Sequence, residues 1–216
     1  MNAAKDCTLQ EKLLRCAMAL ILAAGALLAS VAASPAYAAP STVDVSIGGK
    51  IPYGGFATTW MSADGNIAYC AEPSSPTPAP GSYSTSPVPS GDVTAAIWYS
   101  FGSPGFDASM FPGSWYDGGG WDDAKYAAAS HVLIAYAYSG SESAATHGTS
   151  AEFASWAKSE LIGGTFAKMK AGAGKVSAGF EAFCVRTGGG SQTLVSFSWS
   201  TGGVKVAKTD SEAGAE

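Results

Sequence analysis

The sequence predicts an α+β fold: a mainly antiparallel β-sheet domain with a helical insertion. Two observations carry this. Apolar and polar residues alternate in short runs, separated by glycine turns, near residues 42–70 and again at 179–208. Between them, Lys125 to Tyr138 is rich in alanine, leucine and isoleucine, as a buried helix would be. Strands, then helices, then strands describe a sheet that carries its helices in one excursion.

Composition narrows the class further. Of 216 residues only 13% are charged, with Gly 27 and Pro 11, so turns and irregular segments are plentiful. Hydrophobic residues at 47% and aromatic ones at 11% exclude a disordered chain. A net charge of −5 without a basic run gives no field to recruit nucleic acid or anionic lipid. Collagen-like, coiled-coil and polytopic membrane classes are excluded as well.

The first segment, 1–38, reads as a signal peptide. Lys5, Lys12 and Arg15 form a positive region. Cys16 to Ala29 is apolar and too short for a membrane span, and Ala36-Tyr37-Ala38 offers small residues for cleavage after Ala38. The expectation is an exported protein, secreted or held at the cell surface or cell wall, with no membrane segment in the mature domain. Removing 1–38 takes three basic and two acidic residues, leaving 9 against 15, and leaves Cys70 and Cys184 as the mature cysteines. In an exported chain two cysteines read first as one disulfide.

The mature domain is expected over 39–202. Thr42 to Ile47 alternates as a strand, interrupted by Gly48-Gly49 and Pro52. Phe56 to Trp60 follows Gly54-Gly55, and Asn66 to Cys70 follows the turn signal Asp64-Gly65. Six prolines in 72–90 predict a stiff extended loop. Asp92 to Ser100 predicts a short helix, 102–121 a loop rich in glycine and aromatics, and Asp122 or Asp123 the N-cap of the long helix. Thr149 with Glu152 fits a capping box before Phe153, Trp156 and Leu161, and Gly163-Gly164 predicts that helix's end. A weak helical pattern follows around Phe166 to Lys170. Phe180 to Arg186 and Gln192 to Trp199 flank Gly188-Gly189-Gly190 as a hairpin. Residues 203–216 read either as a tail or as the first strand of a stalk repeat. Val204 to Asp210 resembles the opening strand of immunoglobulin-like repeats in bacterial pilins and adhesins, with Lys208 at the isopeptide position.

Three places bear chemistry: Tyr69-Cys70 where a strand meets the proline-rich loop, Ser130-His131 on the apolar helix, and Gln192-Thr193-Leu194-Val195 beyond the triple glycine. In this order they resemble the thioester domains of Gram-positive surface adhesins. That family joins an aromatic-Cys pair, a Thr-Gln-x-Ala-aliphatic-Trp helix and a glutamine-bearing strand. Here Ser130-His131 stands for Thr-Gln, and Ser191 stands where a hydrophobe is usual. The stretch from Tyr69 to Tyr83 is also similar to N-terminal domains of related stalked surface proteins.

The resemblance implies a Cys70–Gln192 thioester. A thiolate attacks the glutamine carboxamide, ammonia leaves, and the product is an electrophile that an amine opens. The implied partner is an amine-bearing surface ligand, a lysine of a host protein, captured once per molecule without turnover. His131 is a candidate proton carrier. Tyr69, Leu133, Tyr136 and Leu194 are candidates for the apolar walls that slow hydrolysis. The alternative is a non-covalent surface-binding domain stapled by a Cys70–Cys184 disulfide, and the strand register decides between them. Two other classes are weaker. A cysteine hydrolase on Cys70 and His131 would want its nucleophile at a helix N-terminus, and a lectin would use Trp115, Tyr116 and Trp121, which equally fit a core. No cofactor is implied, and two histidines with two cysteines lack the paired spacing of a metal site.

Overall fold

The computed structural model describes residues 39–200; the signal segment 1–38 and the segment 203–216 with Lys208 lie outside them. Six antiparallel strands close into a barrel: β1 Thr42–Tyr53, β2 Phe56–Ala63, β3 Asn66–Cys70, β4 Gly81–Pro87, β5 Phe180–Arg186 and β6 Leu194–Trp199. Their order around the barrel is β1-β2-β3-β6-β5-β4. Among the described residues the helices all fall between β4 and β5, so the expected sheet with a helical insertion is the observed architecture.

Two departures from the sequence reading matter here. β1 runs unbroken through Gly48-Gly49, absorbing them as a register shift between Ile47 and Lys50. The proline-rich loop also contains a strand. Gly81 to Pro87 holds its prolines at the margins, and this strand joins two neighbours in succession. Gly81–Ser84 pairs with β1 and Ser84–Pro87 with β5, which closes the barrel.

The insertion is built around α2, Asp123–Ser139, which Asp122 caps by accepting from the Lys125 N–H at 2.8 Å. Nine consecutive residues of α2, Ala127 to Ala135, are buried, so the helix is enclosed on all sides. α1, Gly91–Tyr99, packs beside it, as do β1 and β3. Beyond α3, Glu142–Ala145, α4, Ala151–Trp156, is capped by Ser150 rather than Thr149. Gly163-Gly164 does not end this helix. The chain widens into a π-helical segment, Ala157–Phe166, and continues as α5, Ala167–Ala171. Burial of Leu161, Ile162, Phe166 and Met169 outweighs the roughly 1 kcal/mol that each helical glycine costs.

The aromatic loop covers this layer. Trp115 is buried, with ring centroids 5.0 Å from Trp121 and from Trp156, and Trp121 stacks on Tyr126 at 4.7 Å. These rings serve as core, which removes the main support for the lectin reading.

Barrel and insertion meet at the β1–β2 turn. Gly54 sits at φ +53°, its carbonyl accepts from the Ser150 N–H at 2.6 Å, and a Cβ there would lie 2.5 Å from the Phe153 ring. Gly55, at φ +81°, has nothing within 4 Å of that position. Gly54→Ala should therefore destabilise the chain by about 2 kcal/mol or more, and Gly55→Ala by only about 1 kcal/mol. Urea titration of both variants checks this; equal losses would mean that Phe153 gives way freely.

Candidate functional site

Alternation along β3 and β6 sorts the candidate residues onto two faces of the barrel wall. Cys70 pairs with Leu194, and Leu194 pairs with Val185, so these three point to the barrel interior with Met61, Ala68 and Phe183. Tyr69 pairs with Val195, and Val195 pairs with Cys184, so these face the helical layer. The two cysteines thus lie on opposite faces, and both are free and buried. The expected alternative, a Cys70–Cys184 disulfide, is corrected by this register. The apolar surroundings of Cys70 are corrected in part as well. Leu194 lies beside it, whereas Leu133 and Tyr136 belong to the cluster on the other face.

Gln192 precedes β6 by two residues and so shares the inward face of Leu194. Its carboxamide meets Cys70 directly: the Cys70 Sγ–H donates to Gln192 Oε1. Both side chains are almost closed off, 4% and 3% exposed. The backbone delivers Gln192 there through Gly188, Gly189 and Gly190, which take φ of 63°, 61° and 77°, a run that other residues strain to adopt. The loop after Cys70 then folds over the glutamine. The Gln192 N–H donates to Pro76 O at 3.0 Å, Gln192 Nε2 to Thr77 Oγ1 at 3.5 Å, and Thr187 Oγ1 to Gln192 O at 2.7 Å.

Glu72 completes the seam. Ala71 N–H donates to Thr193 O at 3.0 Å, and Thr193 N–H to Glu72 Oε2 at 2.8 Å. Sequence reasoning does not single out Glu72, Thr77 or Thr187, because each acts on a residue more than a hundred positions away or through a turn that only the fold defines. The one available signal is the carboxylate two places after Cys70.

His131 reaches Cys70 from the other side. β2 and β3 pair no further than Met61 with Ala68, so the Cys70 N–H has no strand partner there. It donates to His131 Nδ1 at 2.9 Å, and Thr58 Oγ1 lies 3.5 Å from the same nitrogen. Accepting at Nδ1 places the ring proton on Nε2. Beside it, Tyr69 donates its hydroxyl to Phe101 O, and Ser130 Oγ accepts from the Phe101 N–H at 3.0 Å. The pairs Tyr69-Cys70 and Ser130-His131 are therefore tied together through backbone groups.

Electrostatics follow burial. Desolvation pushes the Cys70 thiol up to about 12; the Glu72 backbone N–H works against the rise and the Glu72 charge adds to it. Cys184 is raised to about 11 by burial, with Arg186 opposing. Burial alone pushes His131 down to about 3, so its imidazole is neutral. Among the described residues no cluster of three or more histidine, cysteine or acidic side chains is placed to hold a metal ion.

The model of a family described as thioester domain matches residues 42–164, more than half of the chain. The match includes Cys70 and His131, while Gln192 lies beyond it. No curated protein and no solved structure matches the chain.

The His131 environment has a pH signature. Its folded pKa lies below the unfolded value of about 6.5, so the unfolded state binds more protons between the two. Stability is full above about pH 6.5 and is lost as pH falls toward 3. The wild type should lose up to about 1.4 kcal/mol per pH unit between pH 6 and 4 relative to His131→Gln, which keeps an acceptor without titrating. Denaturant titrations at each pH check it; parallel slopes would show His131 protonating freely.

Proposed function

The chain belongs to the thioester domain family, and on that premise we propose that Cys70 and Gln192 form an internal thioester that captures an amine-bearing partner covalently. The observation that carries the assignment is the contact between Cys70 Sγ and the Gln192 carboxamide inside the barrel.

Formation begins with the thiol attacking Gln192 Cδ. The C–N bond breaks, the thiol proton leaves with the amide nitrogen, and ammonia is released as the Cδ–Sγ bond stays. A primary amide is a poor electrophile, so alignment has to supply much of the rate. The fixed loop 71–77 and the triple-glycine turn support that alignment. His131 holds the strand at Cys70 by satisfying its N–H, and this positioning role is the one its geometry supports best.

Capture reverses the logic. A partner amine bonds to Cδ, the Cδ–Sγ bond breaks, and an amide joins Gln192 to the partner. A thiol whose pKa is held up is a poor leaving group, which slows loss of the thioester to water. Exclusion of solvent from Cys70 and Gln192 works in the same direction. The event happens once per molecule, so the chain is read as a capture device without turnover. We further take it to be exported, with cleavage after Ala38, and displayed at a cell surface, where a host protein's lysine is the natural amine. The N-terminal pattern of Lys5, Lys12 and Arg15 before Cys16 to Ala29 supports the export.

Intact mass of the chain purified without reductant tests the bond. Thioester formation lowers the mass by about 17 Da, and methylamine then raises it to about 14 Da above the unmodified chain. Cys70→Ala and Gln192→Ala should each abolish the deficit and the labelling. His131→Gln should keep the deficit, whereas His131→Ala, which orphans a buried N–H at about 1–3 kcal/mol, should reduce it. A full-mass wild type that ignores methylamine would end the proposal.

A further inference from the structure

We propose that Glu72 is the base that takes the proton of the attacking amine, which makes the site one for primary ammonium groups. This rests on the thioester reading and goes beyond it by naming the residue that readies the nucleophile.

The chemical need is plain. A lysine amine is protonated at neutral pH, with only about one molecule in 2,500 carrying the free electron pair that attack requires. Some group at the site must accept that proton. His131 is poorly placed to do so, since its Nδ1 already accepts from the Cys70 N–H and its ring is buried. Cys184 faces the other side of the barrel wall.

Glu72 meets the requirement by position. It lies two residues beyond Cys70, and its Oε2 is pinned by the N–H of Thr193, the residue after Gln192. The carboxylate therefore spans the seam between the two halves of the thioester. Its Oε1 has no hydrogen-bond partner among the described residues, and no lysine or arginine pairs with it there. Glu72 is half-buried while Cys70 and Gln192 are almost sealed, so an arriving ammonium can reach the carboxylate. The charged groups acting on the neighbouring thiols are Glu72 at Cys70, and Glu72 together with Arg186 at Cys184.

Glu72 accepts one proton from the ammonium, and the freed nitrogen attacks Gln192 Cδ. The Cδ–Sγ bond breaks, and its electron pair goes to sulfur, where the Glu72 backbone N–H favours the thiolate. Of the two protons the nitrogen gives up, one ends on Cys70 Sγ and one goes to solvent. Glu72 starts and finishes as a carboxylate.

The test compares methylamine with hydroxylamine, which is uncharged near neutral pH, using the purified wild-type chain and Glu72→Gln. The glutamine keeps an acceptor for the Thr193 N–H but takes no proton. With a carboxylate base the reacting pair is ammonium plus carboxylate, so wild-type methylamine capture should change less than about threefold from pH 6 to 9. In Glu72→Gln it should rise about tenfold per pH unit and be at least about tenfold slower at pH 7, with hydroxylamine capture within about twofold of wild type. A wild-type rate rising tenfold per unit overturns the role of Glu72, as does a variant that slows both amines alike. Should Glu72→Gln form no thioester, the wild-type profile decides alone. A wild type lacking the 17 Da deficit removes the thioester reading and this role together, so the two failures are distinguishable.

Discussion

The hydrogen bond from the Cys70 N–H to His131 is the constraint around which the rest is arranged. β3 must part from β2 for Cys70 to reach the end of the barrel, and parting leaves a buried donor without a strand acceptor. An unsatisfied donor of that kind costs about as much as a core side chain contributes. The acceptor comes from α2, which packs against β1 and β3. Tyr69, Phe101 and Ser130 lock the same two segments one residue earlier. The aromatic layer and the continuous helix through the π segment then enclose α2 from outside.

Pleating does the sorting. Because β5 and β6 alternate strictly, Cys70 shares the barrel interior with Leu194 and Val185, while Cys184 looks to the helices. A single wall thus keeps one thiol beside the glutamine and the other away from both. The same enclosure sets the chemistry of Cys70, whose thiol is held protonated by loss of solvent.

Much of this is legible from residues alone. Asn66 to Cys70 and Phe180 to Arg186 are delimited by their alternation and by adjacent turns, and Asp122 announces α2. Tyr69-Cys70, His131 and Gln192 stand out because chemistry and order coincide. Other features depend on contacts distant in sequence. β4 is hidden among prolines whose placement at its margins is harmless only because two different strands take its two halves. The π segment runs past Gly163-Gly164 because burial beyond them favours continuing, which no local propensity records. Whether Cys70 faces Cys184 turns on a register of one residue. Glu72 and Thr77 acquire meaning only when the loop after Cys70 lies along residues 191–193.

The position of Gln192 just ahead of the last strand has a mechanical consequence. Under the proposed thioester, a partner joined to that side chain would be tied to the main chain at residue 192. A pull exerted between the partner and anything attached beyond Ser200 therefore runs through residues 192–200 alone. The barrel and insertion that precede it lie off that covalent path. Under the proposed capture they could unravel under load without lengthening the tether or parting the amide, and the grip would outlast the fold that made it.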